Sequence, residues 1–134
     1  PAPGSAINST TPLFSSNAYE GARWVIDVSG DGEHNDGANT AAARNAFLTA
    51  ATGAGASGTI NGLCIGGTSL CNWYQANIVS AGGFLVQAND FADFDGAVRS
   101  KIGREIIGVP VPATAALLGI GLMAVGAIRR RKAD

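Results

Sequence analysis

The sequence predicts an α/β fold with a parallel sheet, followed by a C-terminal transmembrane helix. Short β-branched segments at residues 23–29, 59–65 and 84–87 are typical of buried strands. Helical segments separate them, and strands that alternate with helices at this spacing form a parallel sheet through right-handed crossovers. An uncharged stretch of sixteen residues near the C-terminus ends in a basic run, as membrane helices often do.

One helix is predicted between the first two strands. The sequence from Asn39 is rich in alanine, and Asn39 or Thr40 can act as the N-cap. Gly53 and Gly55 end the helix. The residues predicted for its buried face are Ala43, Phe47 and Ala50.

Three further helices are expected in the body of the protein. A weak helix at about residues 7–16 follows a Pro- and Ser-rich start, and a short one at about residues 70–79 precedes the third strand. The last body helix spans about residues 91–107. Its predicted apolar stripe is Phe91, Phe94, Val98 and Ile102.

Charge is unevenly distributed along the chain. The net charge is −1, but four of the nine basic residues form one run at positions 129–132. The first 128 residues carry nine acidic and five basic side chains, a net charge of about −4. Nucleic-acid binding requires a basic face that replaces phosphate counterions. We therefore exclude DNA and RNA as partners.

The two cysteines, Cys64 and Cys71, have six residues between them. This spacing differs from the Cys-x-x-Cys of thioredoxin-type redox sites and of zinc ribbons. In an exported protein a disulfide that closes this short loop is expected. The alternative is a pair of free, half-buried thiols.

A polar loop follows the first predicted strand and places Asp31 between two glycines. A carboxylate on such a turn is accessible to solvent, and oxygen ligands suit Mg²⁺, Mn²⁺ or Ca²⁺. The alternative is that Asp31 ends the strand and caps the helix of residues 39–52 without a metal. The loop does not match an EF-hand. An EF-hand loop requires glycine at its sixth position, and counting from Asp31 that position is Asp36. His34, the only histidine, has no second histidine or nearby cysteine with which to bind zinc.

Asp27 lies within the apolar run of the first predicted strand. A carboxylate at such a position is costly unless it is paired or hydrogen-bonded. Asp27 is either a structural partner of the adjacent loops or a hydrogen-bonding support for a metal site. The sequence leaves both roles open.

The C-terminal segment, residues 109–134, is predicted to be a tail with a membrane helix at 112–128. Residues 113–128 carry no charge, and a basic cluster at 129–132 follows them. With the apolar residues before it, this stretch reaches the roughly 17 residues that can span a bilayer. A basic cluster stays on the cytoplasmic side, which places the body outside the cytoplasm. The marker residues of the tail are Val109, Pro110, Pro112, Arg129, Arg130 and Arg131.

This tail resembles the PEP-CTERM sorting signals, which combine a Pro-containing motif, a short membrane helix and a terminal arginine cluster. Val111 stands where such signals usually carry Glu. The resemblance implies an exosortase-type processing enzyme as partner, with cleavage near the prolines. The protein would be anchored in the inner membrane with its body in the periplasm before processing. It would then reach the outer surface or the extracellular space.

Three stretches of the body carry a second resemblance. They read VIDVSGDG at residues 25–32, TINGL at 59–63 and GGFLV at 82–86. The body, residues 1–108, resembles a family of secreted bacterial von Willebrand factor A-like proteins of unknown function. The resemblance implies a doubly wound, mostly parallel sheet. It also implies a metal-ion-dependent adhesion site at the carboxyl ends of the strands.

That adhesion site draws its ligands from three loops. The resemblance assigns the Asp of the third loop to Asp31 and the hydroxyl of the second loop to Ser5, with Mg²⁺, Mn²⁺ or Ca²⁺ as the ion. The Asp-x-Ser-x-Ser of the first loop occurs nowhere in the sequence. We therefore expect it upstream and interpret the chain as the C-terminal part of such a domain.

The predicted function is an exported binding module, not an enzyme, that holds a protein or surface ligand through the metal ion. Two alternatives remain at this point. One is a metal-assisted hydrolase that uses Asp31 and His34. The other is a structural component of the envelope or matrix whose ion site has decayed.

Overall fold

The computed structural model describes residues 1–19 and 21–107. Within them no helix is long and apolar enough to cross a membrane. The predicted membrane helix at 112–128 and the basic cluster at 129–132 lie outside the described residues. The elements in chain order are α1 (Pro3–Thr10), a 3-10 helix (Thr11–Phe14), β1 (Arg23–Gly30), α2 (Thr40–Gly53), β2 (Ser57–Ile65), α3 (Thr68–Asn77), β3 (Leu85–Ala88) and α4 (Phe94–Ile107).

The three strands form the predicted parallel sheet, in the order β1-β2-β3. β1 pairs with β2 from Arg23↔Ser57 to Gly30↔Cys64. β2 pairs with β3 from Gly62↔Leu85 to Ile65↔Ala88. The strands are therefore arranged across the sheet in the same order as in the chain. The reversal that defines a doubly wound sheet is therefore not found within residues 1–19 and 21–107.

β2 is the central strand, and hydrophobic side chains cover both of its faces. Because successive side chains of a strand point to opposite sides, Ile60 and Cys64 enter one core and Leu63 and Ile65 enter another. The first core is shared with α1, α2 and α3, and the second with α4. The sheet is therefore flanked by helices on both faces.

The larger core is built around Phe47 of α2, which is fully buried. Phe14 of the 3-10 helix stacks on Trp24 of β1 with ring centroids 5.1 Å apart, and it also contacts Phe47. Asn39 caps α2 as predicted, because its side chain accepts a hydrogen bond of 2.9 Å from the Ala42 N–H. The helix buries Ala51, whereas the predicted Ala50 is exposed.

The N-terminal helix begins earlier than the sequence suggests. It starts at Pro3, not near Ile7, and ends at Thr10, where a 3-10 turn containing Pro12 takes over. Proline is well accepted in the first turn of a helix because the missing N–H has no partner there. The start of the chain is therefore helical and packs its Ile7 side chain into the larger core.

The predicted apolar stripe of the last helix is wrong at both ends. Phe91 precedes α4 and is 67% exposed, and Ile102 is 49% exposed. The covered side chains are Phe94, Ala97, Val98 and Lys101, which follow the i, i+3, i+4, i+7 spacing of a single helix face. The last turn of the buried face therefore contains Lys101, whereas the sequence pattern predicted Ile102 there.

Lys101 is buried and forms an ion pair with Asp27. The Lys101 ammonium contacts the Asp27 carboxylate of β1, and the two side chains are 6% and 38% exposed. Asp27 has a structural role, but its partner lies in α4 and not in the adjacent loops that the sequence suggested. The ion pair joins α4 to the open face of β1.

Cys64 and Cys71 form a disulfide, the pairing that the sequence predicts, with Cα atoms 5.4 Å apart. The bridge connects the end of β2 to α3 across the Gly66-Gly67 turn. By loop entropy, closing so short a loop contributes about 2–3 kcal/mol to stability. The carboxyl end of the central strand is thus fixed covalently to the helix that follows it.

Removing either member of the Asp27–Lys101 pair should destabilise the protein, but by different amounts. We expect Asp27→Asn to lower the free energy of unfolding by about 2–3 kcal/mol, because it leaves a buried ammonium without this carboxylate. Lys101→Met should cost about 1 kcal/mol, since the remaining Asp27 carboxylate is partly hydrated. Urea unfolding of the two variants measures both values.

The control for this prediction is Asp95→Asn. Asp95 pairs with Arg99 on the same helix at 2.9 Å, but both side chains are 78% exposed. The loss should therefore stay within about 0.5 kcal/mol. Equal losses for Asp27→Asn and Asp95→Asn would contradict a structural role of the buried pair.

Candidate ligand site at the carboxyl edge of the sheet

A pocket of about 310 Å³ opens at the carboxyl end of β1. One wall comes from the N-terminal segment and α1, the floor from the end of β1, and the remaining side from α3. Its walls are largely apolar, and Asp31 and Tyr74 add polar side chains. The lining residues are Pro1, Ala2, Pro3, Ala6, Val28, Ser29, Gly30, Asp31 and Tyr74.

The loop after β1 is held against the N-terminal segment by close backbone packing. The Asn35 N–H donates a hydrogen bond of 3.1 Å to the carbonyl of Pro1. A Cβ at Gly32 would lie 2.8 Å from the ring of Pro1, so only glycine fits there without a shift. This contact brings the N-terminal segment and the loop after β1 to the same edge of the sheet. The predicted second loop is wrong, because Ser5 lies in the helix α1.

Ser5 fixes the far end of that loop. Its hydroxyl oxygen accepts a hydrogen bond of 2.9 Å from the Ala38 N–H, 33 residues away in sequence. A Cβ at Gly37, whose φ is +79°, would collide with the same hydroxyl. Asp31 lines the pocket, whereas Ser5 contacts the loop at Gly37 and Ala38 and is not among the lining residues.

Tyr74 of α3 is a functional candidate that the sequence did not reveal. Its side chain is 2% exposed and belongs to the larger core. Its hydroxyl reaches the end of β1, where a Cβ at Gly30 would collide with it. Burial raises the pKa of the Tyr74 hydroxyl above its usual 10.0, and the nearby Asp31 carboxylate raises it further. The phenol is therefore a neutral hydrogen-bond donor at physiological pH.

The described residues offer only part of a metal site. Within residues 1–19 and 21–107, no group of three His, Cys, Asp or Glu side chains is arranged to hold a metal ion. The His34 Nδ1 and Thr40 Oγ1 atoms are buried without a hydrogen-bond partner in this part of the chain. Neither residue lines the pocket with Asp31. Asp31 is accordingly a single accessible carboxylate that would share an ion with oxygen ligands from elsewhere.

Comparison with known families identifies both parts of the chain. A model described as a protein of unknown function, DUF1194, matches residues 1–110. The chain belongs to the DUF1194 family. A PEP-CTERM protein-sorting motif matches residues 108–132, which confirms the resemblance of the tail. No curated protein and no solved structure matches this DUF1194 chain.

These matches establish export but no ligand. The PEP-CTERM tail marks a DUF1194 protein that is exported, anchored in the membrane before processing and sorted by an exosortase. The description of the DUF1194 family names no reaction and no von Willebrand factor A-like fold. The predicted marker residues of the tail fall within the matched range and outside the described residues.

The contact between Gly30 and Tyr74 can be tested by a double-mutant cycle. We expect Gly30→Ala to destabilise the protein by about 1–3 kcal/mol, because the added methyl group collides with the Tyr74 hydroxyl. In a Tyr74→Phe background the nearest remaining ring atom lies 3.7 Å from the added Cβ. The same substitution should then cost under about 0.5 kcal/mol. Thermal or urea unfolding measures the four proteins of the cycle.

The control is Gly53→Ala in α2, where no atom lies within 4 Å of the added Cβ. It should be neutral or slightly stabilising in both backgrounds. An equal loss from Gly30→Ala with Tyr74 and with Phe at position 74 would show that the hydroxyl does not lie over Gly30.

Proposed function

We propose that this DUF1194 protein is an exported binding module that holds a protein or surface ligand through a divalent metal ion at Asp31. The observation that supports the proposal is the pocket at the carboxyl end of β1, which Asp31 lines with its carboxylate. In open parallel sheets, ligands bind outside the carboxyl ends of the strands. The pocket lies at the carboxyl end of β1, although the reversal of strand order that usually marks such sites is not found among β1, β2 and β3.

The von Willebrand factor A-like assignment is part of the proposal. Its support is that the segments VIDVSGDG and TINGL fall on β1 and β2, which are paired neighbours in a parallel sheet. In this interpretation residues 1–108 form the adhesion domain and residues 109–134 the sorting tail. The missing Asp-x-Ser-x-Ser loop and the remaining strands would lie upstream.

The metal would be Mg²⁺, Mn²⁺ or Ca²⁺, each of which prefers oxygen ligands. Asp31 supplies the carboxylate. Ser5 lies outside the pocket lining and its hydroxyl accepts the Ala38 hydrogen bond, so it is proposed to contribute its remaining lone pair through a bridging water. Water and the upstream loop would complete the coordination.

The binding module is preferred over a hydrolase because of the position of His34. A general base must lie within hydrogen-bonding reach of the reacting group. His34 does not line the pocket with Asp31. A structural role in the envelope is the remaining alternative, and it predicts that the protein binds no ion at Asp31.

For the topology, we predict that residues 1–108 lie outside the cytoplasm while residues 112–128 are still in the inner membrane. The basic cluster at 129–132 would be retained on the cytoplasmic side. Reporter enzymes fused after Ile107 measure this directly. A periplasm-dependent reporter should be active there and a cytoplasm-dependent one silent, and the reverse pattern would contradict the orientation.

For the site, we predict that Asp31→Asn weakens Mn²⁺ binding at least about tenfold, because losing even an outer partner of a metal ligand costs that much. Calorimetric titration of the full-length protein gives the affinity. The matched control is Glu33→Gln, which neutralises another exposed acid of the same loop and should leave the affinity unchanged. Equal Mn²⁺ affinity in the wild type and Asp31→Asn would reject Asp31 as a ligand.

A further inference from the structure

The pocket at the carboxyl end of β1 contains one negatively charged side chain and no basic one. Asp31 contributes the carboxylate, and none of the other lining residues is Lys, Arg or His. Asp31 forms no ion pair with any residue in the ranges 1–19 and 21–107. A carboxylate beside apolar walls is costly to desolvate unless a positive group pairs with it. The pocket therefore favours a ligand that brings a positive charge.

The Tyr74 hydroxyl is a second polar group of the pocket that has no partner in the described part of the chain. The Tyr74 side chain is 2% exposed, yet its hydroxyl makes no hydrogen bond with a described residue. It lies against Gly30 and lines the pocket. Buried polar groups are nearly always hydrogen-bonded, either to protein or to water. This neutral oxygen is therefore available to a ligand or to a water molecule that the ligand binds.

These polar groups suit a primary ammonium. An ammonium has a single positive charge and three N–H donors. One carboxylate neutralises that charge, and water or a neutral oxygen of the pocket accepts the remaining N–H groups. A guanidinium would bring five N–H donors in a fixed plane, several of which would face the apolar walls without an acceptor.

The apolar walls suit an unbranched aliphatic stem. Ala2, Ala6 and Val28 add small hydrophobic side chains to the lining that includes Asp31. Lysine side chains commonly bury their methylene groups along such a surface while the ammonium stays in contact with water. Asp31 is exposed, so an ammonium paired with it keeps that contact. The volume of about 310 Å³, at the lower limit of small-molecule sites, is suited to a single side chain.

We infer that this pocket binds a primary ammonium group on an unbranched aliphatic stem, the lysine side chain of a protein partner, with Asp31 as its counter-charge. The inference goes beyond the proposed function, because it uses described residues alone and needs no metal ion. An ammonium and a metal ion would compete for the same carboxylate. The two ideas can therefore be tested separately.

The test is an NMR titration of the isotope-labelled full-length protein in EDTA, which removes divalent ions. The first probe is Nα-acetyl-lysine methylamide. The second is its uncharged analogue, in which a hydroxyl group replaces the ammonium at the same stem length. We expect the lysine probe to shift the backbone N–H signals of Gly30 and Asp31. It should bind at least about tenfold more tightly than the hydroxyl probe, because the charge-assisted hydrogen bond is lost with the charge.

A third probe, butylamine, distinguishes a lysine side chain from a free amine. It carries the same ammonium and stem without the peptide groups. Tighter binding of the lysine probe than of butylamine supports a protein as the source of the ammonium. Equal affinities would show that the stem and the ammonium are sufficient, and the assignment to a protein partner would be withdrawn.

Two variants examine the charge and the stem. Asp31→Asn should weaken the lysine probe about tenfold and leave the hydroxyl probe unchanged, whereas Glu33→Gln, at another exposed acid of the loop, should change neither. Ala6→Leu fills the space of the stem and should weaken both probes at least about tenfold. Its matched control is Ala46→Leu on α2, also exposed but outside the pocket lining. That control should bind both probes as the wild type does.

The outcomes separate this inference from the proposed function. If the wild type binds the lysine probe no more tightly than the hydroxyl probe, or if Asp31→Asn binds the lysine probe as well as the wild type does, the ammonium site is rejected. A separate Mn²⁺ titration without EDTA decides the proposed function. Binding of the lysine probe without binding of Mn²⁺ would support the ammonium site and reject the metal, and the reverse result would do the opposite.

Discussion

The burial of β2 on both faces is the constraint on which the rest of the described structure depends. Ile60, Leu63 and Cys64 are fully buried, and they divide between the two cores. A strand covered in this way must be flanked by strands on both edges and by helices on both faces, since its backbone groups and side chains have no access to water. Each of the other contacts covers part of β2. The strands β1 and β3 pair with its two edges, α2 and α3 pack on one face, and α4 packs on the other.

The site follows from the same arrangement. Pairing β1 in parallel with β2 carries the Asp31 loop to the edge at which α3 begins, and the disulfide fixes α3 to the end of β2. Tyr74 of α3 can then place its hydroxyl against Gly30 at the end of β1. The hydrogen bond from Ala38 to Ser5 holds the loop from the other side. The pocket is thus bounded partly by α1, β1 and α3, each of which buries side chains in the larger core.

Local patterns in the sequence were sufficient to predict the strands, the α2 cap and the cysteine pair. The β-branched runs, Asn39 before an alanine-rich helix and two cysteines seven positions apart each depend on residues close in the chain. The misses involve partners distant in sequence. Lys101 is buried, and its ammonium pairs with Asp27, more than 70 positions earlier in the chain. A pattern that scores lysine as polar and Ile102 as apolar cannot anticipate this.

Tyr74 is the corresponding residue of the site that local sequence patterns could not predict. In the sequence it is one aromatic residue of a short amphipathic helix, and nothing near it indicates a ligand. Its relation to Gly30 and Asp31 exists only once α3 is packed on the sheet. Conversely, the resemblance assigned Ser5 to a loop, whereas the structure places it in α1. The structure shows that its hydroxyl contacts the Ala38 N–H, a contact that no local pattern contains.

The central claim is that the carboxyl edge of β1 holds a divalent ion at Asp31. The most direct measurement is anomalous diffraction from crystals of the protein grown with Mn²⁺. We predict an anomalous peak about 2.0–2.6 Å from an Asp31 carboxylate oxygen, on the pocket side of the loop. Mn²⁺ peaks that occur only at other carboxylates, with the Asp31 carboxylate ordered and free of metal, would contradict the account.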